Sequence, residues 1–379
     1  MTASSHGPLG RITPPQPSIL LNPGPVNVHD RVRAALTYPD VCHREPEPID
    51  LMTTARAKAT AVAGGDDSYT SVLLAGSGTA ALEAALSSVV PQDGKILILD
   101  NGNYGERMYR IVAVHGIAHT RLEFGWCNPI DPAEVDAALA ADPSITHVGM
   151  VHHETSTGMM NPLRAIGEVV SRRGASLVVD SISSLGAEEF DMRTDHVDWC
   201  VGTANKCLEG LPGVSFVCAP RAKFEALADV PTRTFYLDLH GHYIGQEKRK
   251  APLFTPAVQI MYAFDAALDL MIEETVPGRV ARYRALAEQV RAGLAERGIA
   301  LLLGSEHHSN TVTNAYVPDG ISYAQLHDGL KDEGYIVYGV QEQLGNVFRV
   351  ANMGQVDAKN ISGFFEALDR VLAGAGVGE

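Results

Sequence analysis

Positive charge, cysteine and long apolar runs are scarce in this 379-residue chain. It carries 45 Asp and Glu residues against 30 Lys and Arg, and the net charge of -15 disfavours nucleic acid and anionic membrane surfaces as partners. No apolar run approaches the ~20 residues of a membrane-spanning helix. The five cysteines show neither paired spacing nor a CxxC motif, as a reducing compartment permits. We therefore expect a cytoplasmic protein that binds neither nucleic acid nor membrane.

The N-terminal segment has neither a basic start nor an apolar stretch. We expect no secretory signal there and predict a disordered, Pro-rich tail over residues 1–17. Apolar residues make up 45% of the whole sequence, which is ample for a buried core. The length of the chain favours two domains rather than one.

Short apolar runs alternate with helix-like stretches after this tail. The clearest runs are SVLLA (71–75), KILILD (95–100), HVGMVHH (147–153), SLVVD (176–180) and VSFVC (214–218). Such alternation predicts an α/β fold with a mostly parallel central sheet and helices on both of its faces. From about residue 261, long amphipathic helices and shorter strands follow. We predict a large domain at residues 18–260 and a smaller α+β domain at residues 261–379.

Asp180 and Lys206 each follow an apolar segment. Asp180 ends the run LVVD, and Lys206 follows VDWCVGT within GTANKCLEG. Open α/β sheets bind ligands at the carboxyl ends of their strands, so we expect both side chains at that edge, on adjacent strands. Pyridoxal phosphate (PLP) chemistry needs such a pair, because a lysine forms a Schiff base and an acid keeps the pyridine nitrogen protonated. We therefore predict Lys206 and Asp180 as catalytic residues of a PLP enzyme.

The segment GSGTAALEAAL (76–86) predicts a glycine turn that enters a helix. Free backbone N–H groups and the positive end of a helix favour a bound phosphate. Ser77, Gly78 and Thr79 are the contacts we expect. The turn is thus a candidate site for the phosphate group of the cofactor.

The same segment also matches a dinucleotide-binding turn. Gly76, Gly78 and Ala81 fit the pattern GxGxx(G/A), and Asp100 ends the next strand, where a ribose-binding acid would lie. By itself the segment fits a nicotinamide enzyme equally well. The predicted acid–lysine pair favours PLP, because a dinucleotide-binding fold gives that pair no role.

Three further side chains follow strand ends or lie on a late strand. Tyr104, after KILILD, could stack on the cofactor ring, and Thr155, in HHETSTGMMNP, could reach its phenolic oxygen. Arg349, in FRVANMG, could clamp a carboxylate or a phosphonate, although a surface salt bridge accounts for it equally well. Neighbouring residues such as His152 and His153 point to opposite faces of a strand, so we expect no metal site.

Several segments together resemble a known family. They are LLNPGPVNV, YTSVLLAGSGTAALEA, NGNYGERM, HHETSTGMMNP, VVDSISSLGA, ANKCLEGLPGVSFV and FRVANMGQV. They resemble the class V aminotransferases of PLP fold type I and, within that class, the 2-aminoethylphosphonate–pyruvate transaminases. The likeness extends from about Leu20 to the C-terminal helix. It implies a homodimer whose active sites lie between the subunits.

The resemblance also assigns roles by position. It implies that Lys206 holds the cofactor, that Asp180 pairs with the pyridinium, and that Arg349 holds the acidic end of the substrate. The other implied cofactor contacts are Ser77, Gly78 and Thr79 at the phosphate, Asn205 beside the lysine, Tyr104 on the ring, Thr155 near the phenolic oxygen, and Thr255 at the phosphate of the neighbouring subunit.

The implied reaction transfers the amino group of 2-aminoethylphosphonate, or of a close phosphonate amine, to pyruvate, giving phosphonoacetaldehyde and alanine. Arg349, Arg44 and His43 would form a basic pocket for the phosphonate. Two departures keep a second donor open. The segment YGVQEQLGNVFRV lacks a lysine expected in the phosphonate enzymes, and HREPEP (43–48) resembles glyoxylate aminotransferases. An alanine– or serine–glyoxylate aminotransferase is therefore the alternative.

Other classes fit the sequence less well. A cysteine desulfurase shares the fold type but needs a reactive cysteine on a loop towards the C-terminus, and no cysteine follows Cys218. The hypothesis of a nicotinamide dehydrogenase is supported only by the glycine turn and Asp100. A PLP-binding regulator would normally carry a nucleic-acid-binding domain, for which the acidic chain offers no support.

Overall fold

A computed structural model describes residues 14–340 and 342–377, so most of the predicted tail lies outside the described residues. The strands are β1 (Ile19–Leu21), β2 (Tyr69–Gly76), β3 (Lys95–Asp100), β4 (His119–Glu123), β5 (Ile145–Val151), β6 (His153–Glu154), β7 (Met159–Met160), β8 (Ser176–Asp180), β9 (Trp199–Thr203), β10 (Gly213–Pro220), β11 (Val312–Tyr316), β12 (Tyr335–Gly339) and β13 (Val347–Ala351). The helices are α1 (Asp30–Ala35), α2 (Pro46–Val62), α3 (Gly78–Val89), α4 (Asn103–Val114), α5 (Pro132–Ala141), α6 (Leu163–Arg172), α7 (Arg221–Ala226), α8 (Leu239–Tyr243), α9 (Val258–Glu274), α10 (Val276–Glu296), α11 (Tyr323–Asp332) and α12 (Ala358–Gly374). None of these helices combines the length and apolar character of a membrane span.

The central sheet has seven strands in the order β2-β10-β9-β8-β5-β3-β4. All of them run in one direction except β10, which is antiparallel to β9 and to β2. The prediction of a mostly parallel sheet is confirmed. The orientation of β10 follows from its connection, because residues 204–212 form a turn, whereas a parallel neighbour would require a crossover of about a dozen residues or more.

Alternate side chains of the central sheet enter two separate cores. On β2, Val72 and Leu74 pack with α3, α4, α7 and α8, whereas Leu73 faces the core formed with α2, α5, α6 and α9. On β3, Ile98 packs in the first of these cores and Leu99 in the second. This alternation is the period of a strand covered on both faces, and it explains why these strands are continuous apolar runs in the sequence.

A second sheet has the order β1-β12-β13-β11 and packs against α10, α11 and α12. Two elements cross the domain limits predicted at residues 18–260 and 261–379. Strand β1 pairs in parallel with β12, although it lies at the start of the predicted large domain. Helix α9 begins at Val258, and its Met261 and Phe264 pack in the core of the central sheet. The domain limits therefore stay a prediction, with β1 and α9 as the elements that depart from them.

Candidate active site

The loops at the carboxyl edge of the central sheet bring Asp180 and Lys206 together. Asp180 ends β8 opposite Val201 of the parallel neighbour β9, and Lys206 lies three residues beyond the end of β9 at Thr203. The expected adjacency of the two strands is therefore observed. The described stretch 181–198 between them consists of turns rather than the helix of a standard βαβ unit.

Asp180 is almost fully buried, with 3% of its surface exposed. Its carboxylate accepts a hydrogen bond from the backbone N–H of Ile182 at 3.0 Å. Burial raises the pKa of Asp180 to about 6, against the opposing effect of the cations Arg107 and Lys206. A buried carboxylate of this kind is stabilised further by a protonated ring nitrogen, so the site favours a cationic partner.

Lys206 lies beneath a loop from the N-terminal part of the chain. Its amine donates a hydrogen bond to the carbonyl of Pro23, and Gly24 has a φ of +100°. A Cβ atom at Gly24 would lie 2.8 Å from the Lys206 Cδ atom, so the loop requires glycine there. Burial, with a smaller contribution from nearby Arg349, lowers the pKa of Lys206 to about 8, against the opposing effects of Cys207 and Asp180. A larger share of the amine is therefore neutral and nucleophilic near neutral pH.

The predicted phosphate turn lies beside the loop that follows Asp180. Ser77 occupies the N-cap of α3, is exposed, and makes no side-chain capping bond. Gly78 is buried, and a Cβ atom there would lie 2.6 Å from Ile182 Cδ1. The Thr79 hydroxyl accepts a hydrogen bond from Arg107 at 3.2 Å. The first turn of α3 thus offers uncapped N–H groups with a cation close by, which suits a phosphate.

Tyr104 is held at the first turn of α4 by a buried acid, Glu154. The Glu154 carboxylate accepts hydrogen bonds from the backbone N–H groups of Tyr104 at 3.0 Å and Gly105 at 3.2 Å. Burial raises the pKa of Glu154 to about 7. On the helix, the guanidinium carbon of Arg107 lies 4.5 Å from the centroid of the Tyr104 ring. Arg107 was not among the predicted site residues, although its spacing of three residues from Tyr104 places both on one helix face.

Two further predicted contacts lie in loops that follow strands. Asn205 precedes Lys206, and its side-chain oxygen accepts a hydrogen bond from the Thr203 hydroxyl at 2.9 Å. Thr155 is buried directly after β6, next to Glu154. The contacts of both residues with the cofactor stay predictions.

The paired histidines at the end of β5 are neutral buried groups. Burial lowers the pKa of His152 to about 4 and that of His153 to about 3. His153 bonds through Nδ1 to the carbonyl of Ser183 at 3.1 Å. Among the residues that the structure describes, no group of three or more His, Cys, Asp or Glu side chains is arranged to hold a metal ion.

Arg349 reaches the site from the second sheet. It lies on β13 between Asn314 of β11 and Tyr338 of β12, and only 5% of its surface is exposed. Its Nε atom has no hydrogen-bond partner within residues 14–340 and 342–377. Burial lowers the pKa of Arg349, while nearby Tyr104 and Glu154 oppose that change. A surface salt bridge, the other interpretation of this residue, is not what the structure shows.

Three further predicted residues lie outside the loops described so far. Thr255 is exposed, and His43 and Arg44 lie in the turn before α2, half-buried and exposed respectively. The basic pocket of Arg349, Arg44 and His43 stays a prediction.

Asp100, the acid expected of a nicotinamide enzyme, is already engaged. Arg121 contacts its carboxylate at 2.6 Å, and the backbone N–H of Gly102 donates to it at 3.1 Å. The carboxylate thus fixes the turn into α4. The glycine turn and Asp100 therefore do not form a ribose site like the one the dinucleotide pattern requires.

The family model described as aminotransferase class-V matches residues 32–339. The chain belongs to this family. It is also 35% identical over 354 residues to the 2-aminoethylphosphonate–pyruvate transaminase of Salmonella agona (strain SL483), covering 92% of this chain and 96% of the relative. The corresponding transaminase of Salmonella typhimurium matches to the same extent.

Solved aminotransferase structures superimpose on nearly the whole chain. Pyridoxamine–pyruvate aminotransferase from Mesorhizobium loti gives a TM-score of 0.88 at 28% identity, covering 95% of this chain and 93% of that one. Ureidoglycine–glyoxylate aminotransferase from Bacillus subtilis gives 0.91 at 25% identity, covering 97% and 95%. Alanine–glyoxylate aminotransferase from Nostoc sp. gives 0.89 at 26% identity, covering 96% and 97%.

As a class V aminotransferase, this protein is a PLP-dependent transaminase, and its cofactor is pyridoxal phosphate. The residues of this chain fit that cofactor, because a buried acid, a lysine of lowered pKa and an uncapped helix start meet at one sheet edge. The prediction of a PLP enzyme is confirmed, and the nicotinamide interpretation is wrong. A cysteine desulfurase from Thermococcus onnurineus shares only the fold, at 14% identity.

A further buried acid, Glu188, gives a testable pH dependence. Glu188 accepts the backbone N–H of Asn310 at 2.6 Å and its side-chain amide at 2.8 Å, and burial raises the pKa of Glu188 to about 8. Folding raises the pKa of this carboxyl. Its contribution to the stability of the native state is fully present below the pKa of the unfolded state. That contribution is lost as the pH rises through the pKa of the folded state. Between pH 5 and pH 9, we expect the free energy of unfolding of the cofactor-free wild type to fall by a few kcal/mol relative to that of Glu188→Gln.

Urea unfolding of both proteins at several pH values measures this difference. The exposed neighbour Glu189 provides the matched control, since Glu189→Gln removes a similar charge without burial. Equal pH slopes for wild type and Glu188→Gln would contradict the assignment. The other buried acids are present in both proteins, so their contributions cancel in the comparison.

Proposed function

We propose that this transaminase moves the amino group of 2-aminoethylphosphonate to pyruvate and forms phosphonoacetaldehyde and alanine. The observation that carries the proposal is the buried guanidinium of Arg349, which has no hydrogen-bond partner at Nε among the described residues and lies close enough to Lys206 to lower the pKa of its amine. The named activity of the Salmonella relatives, at 35% identity over 92% of the chain, supports the same donor.

Arg349 suits the acidic end of the donor. A buried charge without a partner is costly, and a planar guanidinium can offer two parallel N–H groups to a phosphonate. The substrate would supply the missing anion and would be oriented with its amino end towards Lys206. Binding energy from the remote phosphonate would then hold the reacting carbon in place.

Lys206 and Asp180 have separate roles in this proposal. The bound cofactor supplies a ring that accepts electrons from the substrate carbon. The Lys206 amine would hold the cofactor and, when free, would take a proton from the substrate carbon and return one nearby as a general acid. The Asp180 carboxylate keeps the ring nitrogen protonated. Its burial strengthens this interaction, because little water screens it.

The remaining predicted residues bind or align the cofactor. The backbone at Ser77, Gly78 and Thr79 would hold the phosphate, and Tyr104 would stack on the ring with Arg107 behind it. Asn205 and Thr155 would contribute polar contacts next to the lysine and at the phenolic oxygen. Removal of the Tyr104 side chain would weaken cofactor binding rather than the proton transfer.

We also propose a cytoplasmic homodimer with shared active sites. An aromatic cluster supports the interface, because Phe235 is 85% exposed, and Tyr236 stacks on Phe254 at 4.9 Å between ring centroids. Thr255 follows this cluster and would reach the phosphate of the partner's cofactor. His43 and Arg44 would add positive charge to the phosphonate pocket of Arg349. The five free cysteines favour a reducing compartment.

An alanine– or serine–glyoxylate aminotransferase is the second candidate. The segment HREPEP at residues 43–48 favours it, as do the alanine–glyoxylate enzyme of Nostoc sp. and the ureidoglycine–glyoxylate enzyme of Bacillus subtilis among the structural neighbours. Both candidates use the same cofactor and the same lysine. They differ in whether Arg349 holds a phosphonate or a carboxylate.

A panel of donors and acceptors separates the two candidates. The purified holoenzyme is given 2-aminoethylphosphonate, alanine or serine with either pyruvate or glyoxylate, and kcat/KM is measured for each pair. We expect 2-aminoethylphosphonate to exceed serine with either acceptor, and alanine with glyoxylate, by roughly 100-fold or more. The carboxylate of alanine or serine lies one carbon closer to the amino group than the phosphonate does, so it would leave the buried Arg349 poorly paired. Absence of turnover with the phosphonate, together with turnover of alanine and glyoxylate, would replace the first candidate by the second.

A further inference from the structure

Lys206 belongs to a closed turn at residues 204–210, which we call the lysine turn. The backbone N–H of Glu209 donates to the Lys206 carbonyl at 2.9 Å, and that of Gly210 donates to the Ala204 carbonyl at 2.8 Å. Glu209 has a φ of +59°, which is unfavourable for a residue with a side chain. The turn therefore needs contacts elsewhere to keep this conformation.

Those contacts come from α10. The buried carboxylate of Glu209 accepts the hydroxyl of Tyr283 at 2.6 Å and a guanidinium N–H of Arg282 at 2.7 Å. Arg279 donates to the Cys207 carbonyl at 3.2 Å. Helix α10 is thus bonded to the lysine turn at two residues, Cys207 and Glu209.

The same side chains also bind the segment that follows β13. The Tyr283 hydroxyl accepts the backbone N–H of Gly354 at 3.1 Å, and Arg282 donates to the Gly354 carbonyl at 3.3 Å. The side chain of Asn352 donates to the Tyr283 carbonyl at 3.1 Å, and the side chain of Gln355 donates to Glu209. This segment begins directly after the strand that carries Arg349.

The charges of this group balance. Arg279 and Arg282 both contact Glu274 at 2.7 Å, and Arg282 also contacts Glu209. The side chains of Arg279 and Glu209 are almost completely buried. A polar network with a buried centre and mutually bonded members is stiff, because each shift breaks several bonds at once. We call Glu209, Glu274, Arg279, Arg282, Tyr283 and Gln355 the Glu209 network.

We propose that the Glu209 network is a positioning device that fixes the distance between the Lys206 amine and the Arg349 guanidinium, and thereby selects the length of the amino donor. The inference rests on the proposed roles of those two residues. No member of the network contacts the reacting atoms. Its action is to hold the lysine turn and the segment after β13 against each other, so that a donor of one chain length spans both ends.

Tyr283→Phe tests the proposal with a minimal change. It removes only the hydroxyl that joins Glu209 to Gly354. We expect kcat/KM for 2-aminoethylphosphonate to fall roughly tenfold, because small misplacements of reacting groups have large effects on rate. We also expect the preference for 2-aminoethylphosphonate over 3-aminopropylphosphonate to fall severalfold, and the visible circular dichroism of the bound cofactor to change.

Tyr243→Phe is the matched control, because Tyr243 is also fully buried and its hydroxyl also contacts a glutamate, Glu225, at 3.2 Å. Gln355→Ala is a second variant on an exposed residue, in case Tyr283→Phe does not fold. Unchanged length preference and dichroism in the folded variants, or equal changes in Tyr243→Phe, would overturn the proposal. If the wild type does not accept phosphonates, the proposed donor is wrong, and the dichroism alone decides the role of the network.

Discussion

Lys206→Ala is expected to reduce transamination by roughly four orders of magnitude or more, while the protein folds and still binds pyridoxal phosphate without a covalent bond. Lys206 brings an amine of lowered pKa to the carboxyl edge of the sheet beside Asp180. Alanine removes the group that both holds the cofactor and moves the proton. Single-turnover kinetics with the best donor measure the loss.

Peptide mapping after reduction with borohydride provides an independent measurement. The wild type should carry the reduced cofactor on Lys206, and Lys206→Ala should carry none. Lys223→Ala is the control, because Lys223 forms an ion pair with Asp198 at 2.9 Å and has no predicted role in the site. Normal turnover in Lys206→Ala, or a tag on another lysine in the wild type, would remove the basis of the proposed mechanism.

The parts of the fold that were predictable are those whose signal is local. The runs KILILD and SLVVD coincide with β3 and β8 at both ends, because strands covered on both faces are continuously apolar. The pairing of Asp180 with Lys206 followed from the same logic, since parallel strands end at one edge. The direction of β10 was not predictable from its apolar run, because it depends on the length and shape of the turn before it.

The contacts that align the site were not predictable because they join distant segments. Glu154 binds the start of α4, about 50 residues earlier in the chain, and Glu209 meets Tyr283 across 74 residues. Nothing in the local pattern around either glutamate distinguishes it from a solvated acid. Only the order of the strands and the packing of α10 bring these partners together. A similar limit applies to Thr255, whose proposed role requires a second chain.

Gly24 marks an intermediate case. The segment LLNPGPVNV carries part of the family resemblance, but its position above Lys206 depends on β1 pairing with β12 in the other sheet. The site is therefore formed by three parts of the chain that are far apart in sequence. The sheet edge supplies Asp180 and Lys206, the second sheet supplies Arg349, and the N-terminal loop covers the lysine.

Asp180→Asn is expected to lower kcat roughly 100- to 1,000-fold with a much smaller change in KM. Asparagine has nearly the same shape and can still accept the N–H of Ile182, so the fold of the loop should persist. It carries no charge, however, and an uncharged partner no longer holds the proton on the ring nitrogen in this buried environment. The loss should therefore fall on proton removal from the substrate carbon rather than on binding.

The pH dependence distinguishes this role from a structural one. Burial raises the pKa of Asp180 to about 6 in the cofactor-free protein, so the carboxylate is protonated as the pH falls through that value. The cationic ring should lower this pKa on binding, and the wild type should then keep its activity and its visible absorbance below pH 6. Asp180→Asn should show a changed visible spectrum that does not respond to pH in this range. A variant with a wild-type spectrum and kcat would show that Asp180 does not contact the ring nitrogen.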